Sequence, residues 1–202
     1  MGQKKTTNEI ISRAEDTLFT VQLGLEHMKG QDPRARLAGL RNLVVFGRSV
    51  TNILQNLRST EPKFDEWYQP YVKEMEVDEL MRFFYKLRSE ILKEGAVAVH
   101  SSMSLNGDPM EVFKHFKAPP RAKSFFIGDR IGGSGWEVEV GEGETEKYYV
   151  QFPNEIPGLR VDINIHLSHA PERFEGVPAT ELCEWYLTYL ARMVADAKKV
   201  FQ

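Results

Sequence analysis

The chain has 202 residues, of which 42% are hydrophobic and 27% are charged, and its formal net charge is −3. A chain of this length buries about 70% of the surface that its unfolded form exposes, so one domain needs no disulfide to be stable. The acidic balance excludes the broad positive field of proteins that bind nucleic acid over a whole face. We therefore expect no DNA partner, while a local basic patch for RNA stays open.

The cysteine content and the lack of long apolar runs in the sequence bear on the compartment. Cys183 is the single cysteine, so neither an intramolecular disulfide nor a cysteine-based metal site is expected, which favours a reducing cytoplasm. We predict that Cys183 packs inside a helix and is not a reactive thiol. No run of about 18 apolar residues occurs, and the first residues lack the apolar core of a signal peptide, so we expect a cytoplasmic protein with no membrane partner.

The first 95 residues predict four amphipathic helices, because apolar residues recur there at three- and four-residue steps. The four segments span residues 7–27, 33–58, 63–75 and 78–94. Thr7 is predicted to cap the first helix, while Asp78 caps the fourth and Gly95 ends it. Gly47 lies in the apolar stripe of the second helix, where a missing side chain would let another helix come close. Short connections favour a compact antiparallel bundle over residues 7–98.

The sequence changes in character after the fourth helix. Residues 99–121 are rich in serine, proline and glycine, and we expect a connecting segment with at most a short helix around residues 110–116. Alternating apolar and polar residues then predict a β subdomain over residues 122–170, with a hairpin and a long strand at residues 159–167. A last helix over residues 178–201 is predicted to pack back on the bundle or across the sheet.

These elements together predict a single domain of the α+β class that is mainly α. Its core is an antiparallel four- or five-helix bundle over residues 7–98 and the C-terminal helix. A small antiparallel sheet of three to four strands is inserted before that last helix.

Trp67, Tyr68 and Tyr71 share one helical face. Such an aromatic stripe is typical of core packing, although it could also stack on the bases of a nucleic acid.

Three short strings carry a resemblance to a known family. They are the Arg-Ser-Val-Thr core within residues 46–55, the Trp-Tyr helix at residues 64–68, and the end of the next helix at residues 87–95. Over about residues 7–95 the chain resembles the HEPN-like bacterial helical proteins. The resemblance implies a helical bundle and a homodimer with the motif near its interface.

The catalytic members of that family carry an arginine followed, after four to six residues, by a histidine. Here Arg88 matches the arginine and Lys93 stands in the place of the histidine. A histidine can act as base or acid in RNA cleavage, whereas a lysine of ordinary pKa is protonated at neutral pH and is a poor base. The resemblance therefore predicts the fold, and we do not extend the ribonuclease activity to this chain.

The candidate binding residues lie on two helices that the bundle would bring together. They are Arg48, Asn52, Arg88, Glu90 and Lys93. One interpretation is ordinary hydrogen bonding and ion pairing on packed or solvated helix faces. The other is a shared anion site, because the guanidinium fork suits phosphate and carboxylate groups.

Two further patterns have structural and functional interpretations. The glycine-rich residues 127–135 lack the lysine and hydroxyl residue of a P-loop, so a turn or bulge that positions Trp136 is favoured over nucleotide binding. His166 and His169 could form half of a metal site, but no third ligand has suitable spacing, and surface or turn histidines are favoured. We expect no metal and no cofactor.

Three functions are consistent with these patterns. The first is a non-catalytic module that dimerises and binds a protein or RNA partner. The second is a metal-independent endoribonuclease that uses Arg88 in a defence or toxin–antitoxin setting. The third is small-molecule binding between bundle and sheet, on the strand face that carries Arg160, Asp162, Asn164 and His166.

Overall fold

The structure is a computed structural model that describes residues 5–106, 108, 114, 116–129, 133–151 and 160–202. The described residues form five long helices and two small antiparallel sheets, so the predicted α+β class with mainly α content is confirmed. The helices are α1 (Thr7–Lys29), α2 (Pro33–Leu54), α3 (Phe64–Val77), α4 (Glu79–Glu94) and α5 (Ala179–Phe201). A 3-10 turn at Gln55–Ser59 extends α2, and another at Glu172–Phe174 precedes α5.

Local sequence signals explain where the helices begin and end. Thr6 and Glu9 form a capping box at the start of α1, so the predicted cap at Thr7 is wrong by one residue. Asp78 caps α4 by accepting a hydrogen bond of 2.9 Å from the Met81 amide. Gly95 ends α4 with a φ of 64°, a conformation that glycine adopts without strain.

Two glycines let α1 and α2 pack at close range. A Cβ on Gly24 would lie 2.8 Å from the Gly39 carbonyl oxygen, and a Cβ on Gly39 would collide with the Gly24 carbonyl oxygen. The backbones therefore touch where both side chains are missing. This contact aligns the long helical hairpin on which the rest of the bundle is built.

The last helix closes the bundle, as predicted. On α5 the Cys183 side chain is fully buried, and burial raises the pKa of its thiol, which agrees with the predicted packing role. The aromatic face of α3 packs towards α5, where Trp67 Nε1 and the Tyr71 hydroxyl each donate a 2.7 Å hydrogen bond to Asp196 Oδ2. The predicted packing role of these aromatic residues is confirmed.

The β region is two sheets instead of the single subdomain that the sequence predicts. Strand β1 (Val99–Asn106) pairs antiparallel with β5 (Arg160–Leu167). Strands β2 (Ala122–Phe126), β3 (Gly135–Gly141) and β4 (Glu144–Tyr149) form a separate antiparallel sheet in that order. The expectation of a connecting segment from residue 99 is wrong over β1, because the partner that makes this serine-rich segment a strand is distant in the sequence.

Other predictions for this region fall partly outside the described residues. The structure does not describe most of the helix predicted around residues 110–116. It also does not describe the end of the predicted hairpin beyond residue 151.

Asp129 organises the described ends of the glycine-rich segment. Its carboxylate accepts hydrogen bonds from the Gly133 amide (3.0 Å), the Tyr149 hydroxyl (2.7 Å) and Lys147 Nζ (2.9 Å). Residues 130–132, where the predicted turn or bulge falls, lie outside the described residues.

Buried polar groups join the first sheet to the bundle. Val99, Ile165 and Leu167 contribute one apolar face to the core. The buried Arg36 donates from Nε to the Met28 carbonyl (3.1 Å) and from a terminal nitrogen to the Ile163 carbonyl (3.3 Å). One arginine of α2 thus holds the end of α1 and the β5 strand together.

Among the described residues, none of the helices has the length and apolar character that a membrane span requires.

Candidate functional site

A cavity of about 610 Å³ lies between α2, α3, α4 and α5. This volume is in the range of small-molecule sites. Most of its wall is apolar or aromatic. The residues of that wall include Tyr68, Val72, Met75, Met81, Tyr186 and Leu190. Water finds few hydrogen-bond partners on an apolar wall, so the cavity favours a ligand with an apolar surface.

Arg48 is the charged residue that α2 contributes to the cavity. Its side chain is half-buried and donates a 2.8 Å hydrogen bond to Thr51 Oγ1, while that hydroxyl donates to the Arg48 carbonyl over 2.9 Å. The guanidinium carbon also lies 5.7 Å from the centre of the Tyr85 ring of α4. Because a guanidinium has five N–H donors, these contacts orient Arg48 and leave donors for a ligand.

Tyr186 forms the part of the wall that belongs to α5. Its ring stacks on Phe84 with centroids 4.4 Å apart and an interplanar angle of 7°. A Cβ on Gly47 would lie 3.0 Å from the Tyr186 hydroxyl oxygen, so the missing side chain of Gly47 makes room for the ring. The close approach predicted at Gly47 is therefore confirmed, and its partner is a tyrosine.

The electrostatics of the wall centre on the same tyrosine. Burial raises the pKa of Tyr186, and the positive charges of Arg48 and Arg88 act against that shift. The hydroxyl is therefore neutral at physiological pH and lies near two cations from two helices. The half-buried Arg88 also has its Nε buried without a hydrogen-bond partner among the described residues.

The structure brings together only part of the predicted binding set. The positive charges of Arg48 on α2 and of Arg88 on α4 both act on the Tyr186 hydroxyl. The side chains of Asn52, Glu90 and Lys93 are exposed, and they do not contribute to the described cavity wall. Lys93 is therefore a residue of the protein surface.

Sequence reasoning missed several residues of the cavity. Arg82 and Lys86 stand one turn apart on α4 with Tyr85 between them, and all three line the cavity. Their helical spacing was visible in the sequence, but the pattern does not show what faces them. Tyr186 could not be assigned from spacing, because its helix lies about one hundred residues further along the chain.

The charged groups at the cavity give it a positive balance. Arg48, Arg82 and Lys86 contribute positive charge, and Glu76 contributes negative charge. An apolar wall with an excess of cations suits a ligand that has an apolar body and an anionic group. Among the described residues no histidine lines this cavity, and no group of three or more His, Cys, Asp and Glu side chains is placed to hold a metal ion.

The predicted histidine pair has two different environments. His166 is buried, with 7% of its surface exposed, and so differs from the favoured surface histidine. His169 is exposed in the turn after β5, as favoured. Asn164 is half-buried on the same strand, whereas the side chains of Arg160 and Asp162 lie outside the described part of the structure.

Comparison with known proteins gives one similarity. A family model described as bacteriophage lambda protein ea47 matches residues 31–124. This segment is just under half of the chain; it contains α2, α3, α4 and the cavity residues that these helices supply, but not α5 with Tyr186. No curated protein and no solved structure matches the chain.

Proposed function

We propose that the helical bundle acts as a non-catalytic binding module whose cavity takes a small ligand with an apolar body and one anionic group. The observation that carries the proposal is the half-buried Arg48 in a largely apolar wall. A cation costs free energy when it loses water, and an anionic partner offsets that cost. Arg82 and Lys86 at the same cavity add to the attraction.

The cavity supports binding and offers little for chemistry on the bound ligand. Tyr68 is held by Gln55, whose Nε2 donates a 3.0 Å hydrogen bond to its hydroxyl. Burial raises the pKa of Tyr186, so its hydroxyl stays protonated at neutral pH and cannot act as a base. The arginines are permanently protonated. These tyrosines and arginines can orient an anion but do not act as a base, and Glu76 is the one carboxylate among the described residues of the wall.

Two matched fluorescent probes test the proposal without knowledge of the natural ligand. One is 1-anilinonaphthalene-8-sulfonate, which has an aromatic body and an anionic group, and the other is the uncharged N-phenyl-1-naphthylamine. We expect both to bind the folded protein. Arg48→Gln should weaken the anionic probe by about tenfold or more, because a hydrogen bond to a charged group contributes about 1.5–3 kcal/mol. The neutral probe should change by less than about twofold.

Two control variants separate the cavity from other surfaces. Lys93→Gln removes an exposed cation of α4 outside the cavity wall and should alter neither affinity. Val72→Trp fills cavity space and should weaken both probes. Circular dichroism and the melting temperature must show that each variant is folded. If the anionic probe binds Arg48→Gln and Val72→Trp as tightly as the original protein, the cavity is not its site.

The macromolecular partners of the protein are a separate proposal from the ligand of the cavity. We propose, from the family resemblance alone, that the module forms a homodimer and engages a protein or RNA partner. Sedimentation equilibrium tests the dimer, and a filter-binding titration with single-stranded RNA tests the RNA partner. Incubation with RNA tests the alternative activity, because cleavage that disappears in Arg88→Ala would contradict the non-catalytic assignment.

A further inference from the structure

Outside the bundle, the β1–β5 sheet carries a serine and a histidine in hydrogen-bond contact. Ser102 Oγ of β1 lies 2.7 Å from His166 Nε2 of β5. Neither residue belongs to the wall of the bundle cavity. A nucleophile and a base at this distance are the core of covalent acyl-transfer sites, provided that a third group orients the base.

The third group is a backbone carbonyl. His166 Nδ1 lies 3.2 Å from the Val177 carbonyl oxygen. A carbonyl only accepts hydrogen bonds, so Nδ1 carries the proton of the neutral ring and donates it. Nε2 then has the free electron pair and accepts from the Ser102 hydroxyl. The fold before α5 thus fixes the one tautomer in which His166 can remove the serine proton.

The surroundings shield the base and expose the nucleophile. His166 is buried, and its ring stacks on His100 with centroids 5.2 Å apart at 18°. Ser102 is exposed. A substrate can therefore reach the hydroxyl, while the His100 ring covers one face of the imidazole. This division is what an activated serine requires.

The strand register adds a hydrogen-bond donor beside the serine. Ser102 and Asn164 are directly opposed across the antiparallel pair, so their side chains share a face with Cβ atoms about 4.5–5.5 Å apart. His166, two residues further along β5, shares the same face. Side-chain amides of asparagine are among the donors that stabilise the oxyanion of acyl transfer.

We propose that Ser102, His166 and Asn164 form an acyl-transfer site that hydrolyses small carboxylic esters. The Ser102 oxygen attacks the ester carbonyl carbon while its proton passes to His166 Nε2, and the amide of Asn164 donates to the carbonyl oxygen as it becomes an oxyanion. The carbon–oxygen bond to the alcohol then breaks, and the leaving alkoxide takes the proton from Nε2. Ser102 is left acylated.

Water completes the reaction and restores the site. His166 Nε2 removes a proton from water, the hydroxide oxygen bonds to the acyl carbon, and the bond to Ser102 Oγ breaks as that oxygen regains a proton. The sum is ester plus water giving acid plus alcohol. Val177 is a positioning residue, since its carbonyl accepts from His166 Nδ1 and acts through that ring. The activity uses residues separate from the bundle cavity, so it stands or falls independently of the proposed binding function.

A fluorophosphonate probe tests the nucleophile directly. The serine oxygen forms a bond to phosphorus, the phosphorus–fluorine bond breaks, and fluoride leaves as the proton passes to His166. We expect one adduct on the folded protein, located at Ser102 by peptide mass spectrometry. His166→Gln should slow labelling by about 100-fold, because general-base catalysis contributes about 10²–10⁴-fold. The exposed Ser124, which donates to Glu137, supplies the control variant Ser124→Ala, and its labelling should be unchanged.

Two further arms keep the test decisive if His166→Gln does not fold. Labelling of the original chain is compared with labelling in urea, where Ser102 has lost its base and should react at the background rate of other serines. Hydrolysis of p-nitrophenyl acetate should fall in Asn164→Ala with the melting temperature retained. The proposal is overturned if folded protein does not label at Ser102, or if it labels no faster than protein in urea. Either result would leave the serine–histidine bond as a structural link between strands.

Discussion

The helical bundle and the β region bury polar groups in different ways. In the bundle, α1 and α2 touch at Gly24 and Gly39, and the core is an apolar cluster with few buried polar side chains. In the β region, Asp129 and His166 each organise several hydrogen bonds between segments distant in sequence. The difference teaches that close apolar packing specifies the α1–α2 hairpin, whereas particular polar partners join the segments of the sheets.

The strongest test of the bundle is Gly39→Ala. The added Cβ would collide with the Gly24 carbonyl oxygen and lie 2.8 Å from the His27 Cβ, and backbone atoms cannot move aside cheaply. Overpacking costs about 1–3 kcal/mol or more, and the better helix propensity of alanine returns about 1 kcal/mol. We expect a net loss of about 2 kcal/mol in the free energy of unfolding, measured by urea titration.

The matched control lies on the same helix. Asn42→Ala changes an exposed residue of α2 and should alter stability by less than about 0.5 kcal/mol. If Gly39→Ala is as stable as Asn42→Ala, the two helices do not approach as closely as the structure shows.

The corresponding test of the β region is Asp129→Ala. The carboxylate, whose side chain is only 8% exposed, accepts from Gly133, Lys147 and Tyr149. Loss of a buried charged acceptor costs about 1.5–3 kcal/mol. Because Lys147 and Tyr149 lie in β4 and Gly133 just precedes β3, we expect hydrogen exchange to accelerate in β3 and β4 and to stay unchanged in α4.

A nearby exposed carboxylate serves as the comparison. Glu146→Ala, on β4, should leave exchange throughout the sheet within error. Equal acceleration in α4 and in β4 after Asp129→Ala would mean that bundle and sheet unfold as one unit, and the contrast between them would be lost.

The same contrast explains what the sequence could predict. Helix ends depend on residues within a few positions, so Asp78 and Gly95 were placed correctly on α4. Gly47 was assigned a close contact because a glycine in an apolar stripe has few other uses. The fold class follows from such local signals, summed along the chain.

The parts that sequence could not predict depend on distant partners. Strand β1 has apolar residues at alternate positions, but its serines are typical of loops, and its partner β5 begins more than fifty residues later. Ser102 and His166 are 64 residues apart, and no spacing rule joins them. In the cavity, Arg48 was identified by residue type, whereas Tyr186 needed the packing of α5 to be known.

A smaller effect is expected where a bundle glycine meets a side chain instead of backbone. In Gly47→Ala the new Cβ would press on the Tyr186 ring, and the ring borders a cavity into which it can move. We expect a net cost of about 1 kcal/mol or less, since the strain is relieved by this shift and alanine favours the helix. The displaced ring should weaken the binding of both naphthalene probes, measured by fluorescence titration. Asn52→Ala, exposed on the same helix, should change neither quantity.

The smallest effect at neutral pH belongs to Tyr149→Phe, which removes one hydrogen bond to Asp129 and should cost about 1 kcal/mol. This variant is informative because the stability contributed by the Tyr149 hydroxyl depends on pH. Burial, reinforced by the hydrogen bond to Asp129, raises the pKa of Tyr149 to about 12, against about 10 for a free tyrosine. The folded state therefore holds this proton more tightly than the unfolded chain does. The stability that it contributes is complete below pH 10 and is lost as the pH rises towards 12.

The measurement is the difference in unfolding free energy between the original protein and Tyr149→Phe from pH 8 to pH 11.5. Subtraction is needed because the pKa values of Tyr71 and Tyr189 in the bundle are raised as well, chiefly by burial. The difference should be constant below about pH 9.5 and should shrink above pH 10 as the unfolded tyrosine ionises. Tyr148→Phe, at the exposed neighbouring position, is the matched control for loss of a tyrosine hydroxyl on the same strand. A flat difference for Tyr149→Phe would show that its hydroxyl is not enclosed with Asp129, and the β region would then lose the polar centre that distinguishes it from the bundle.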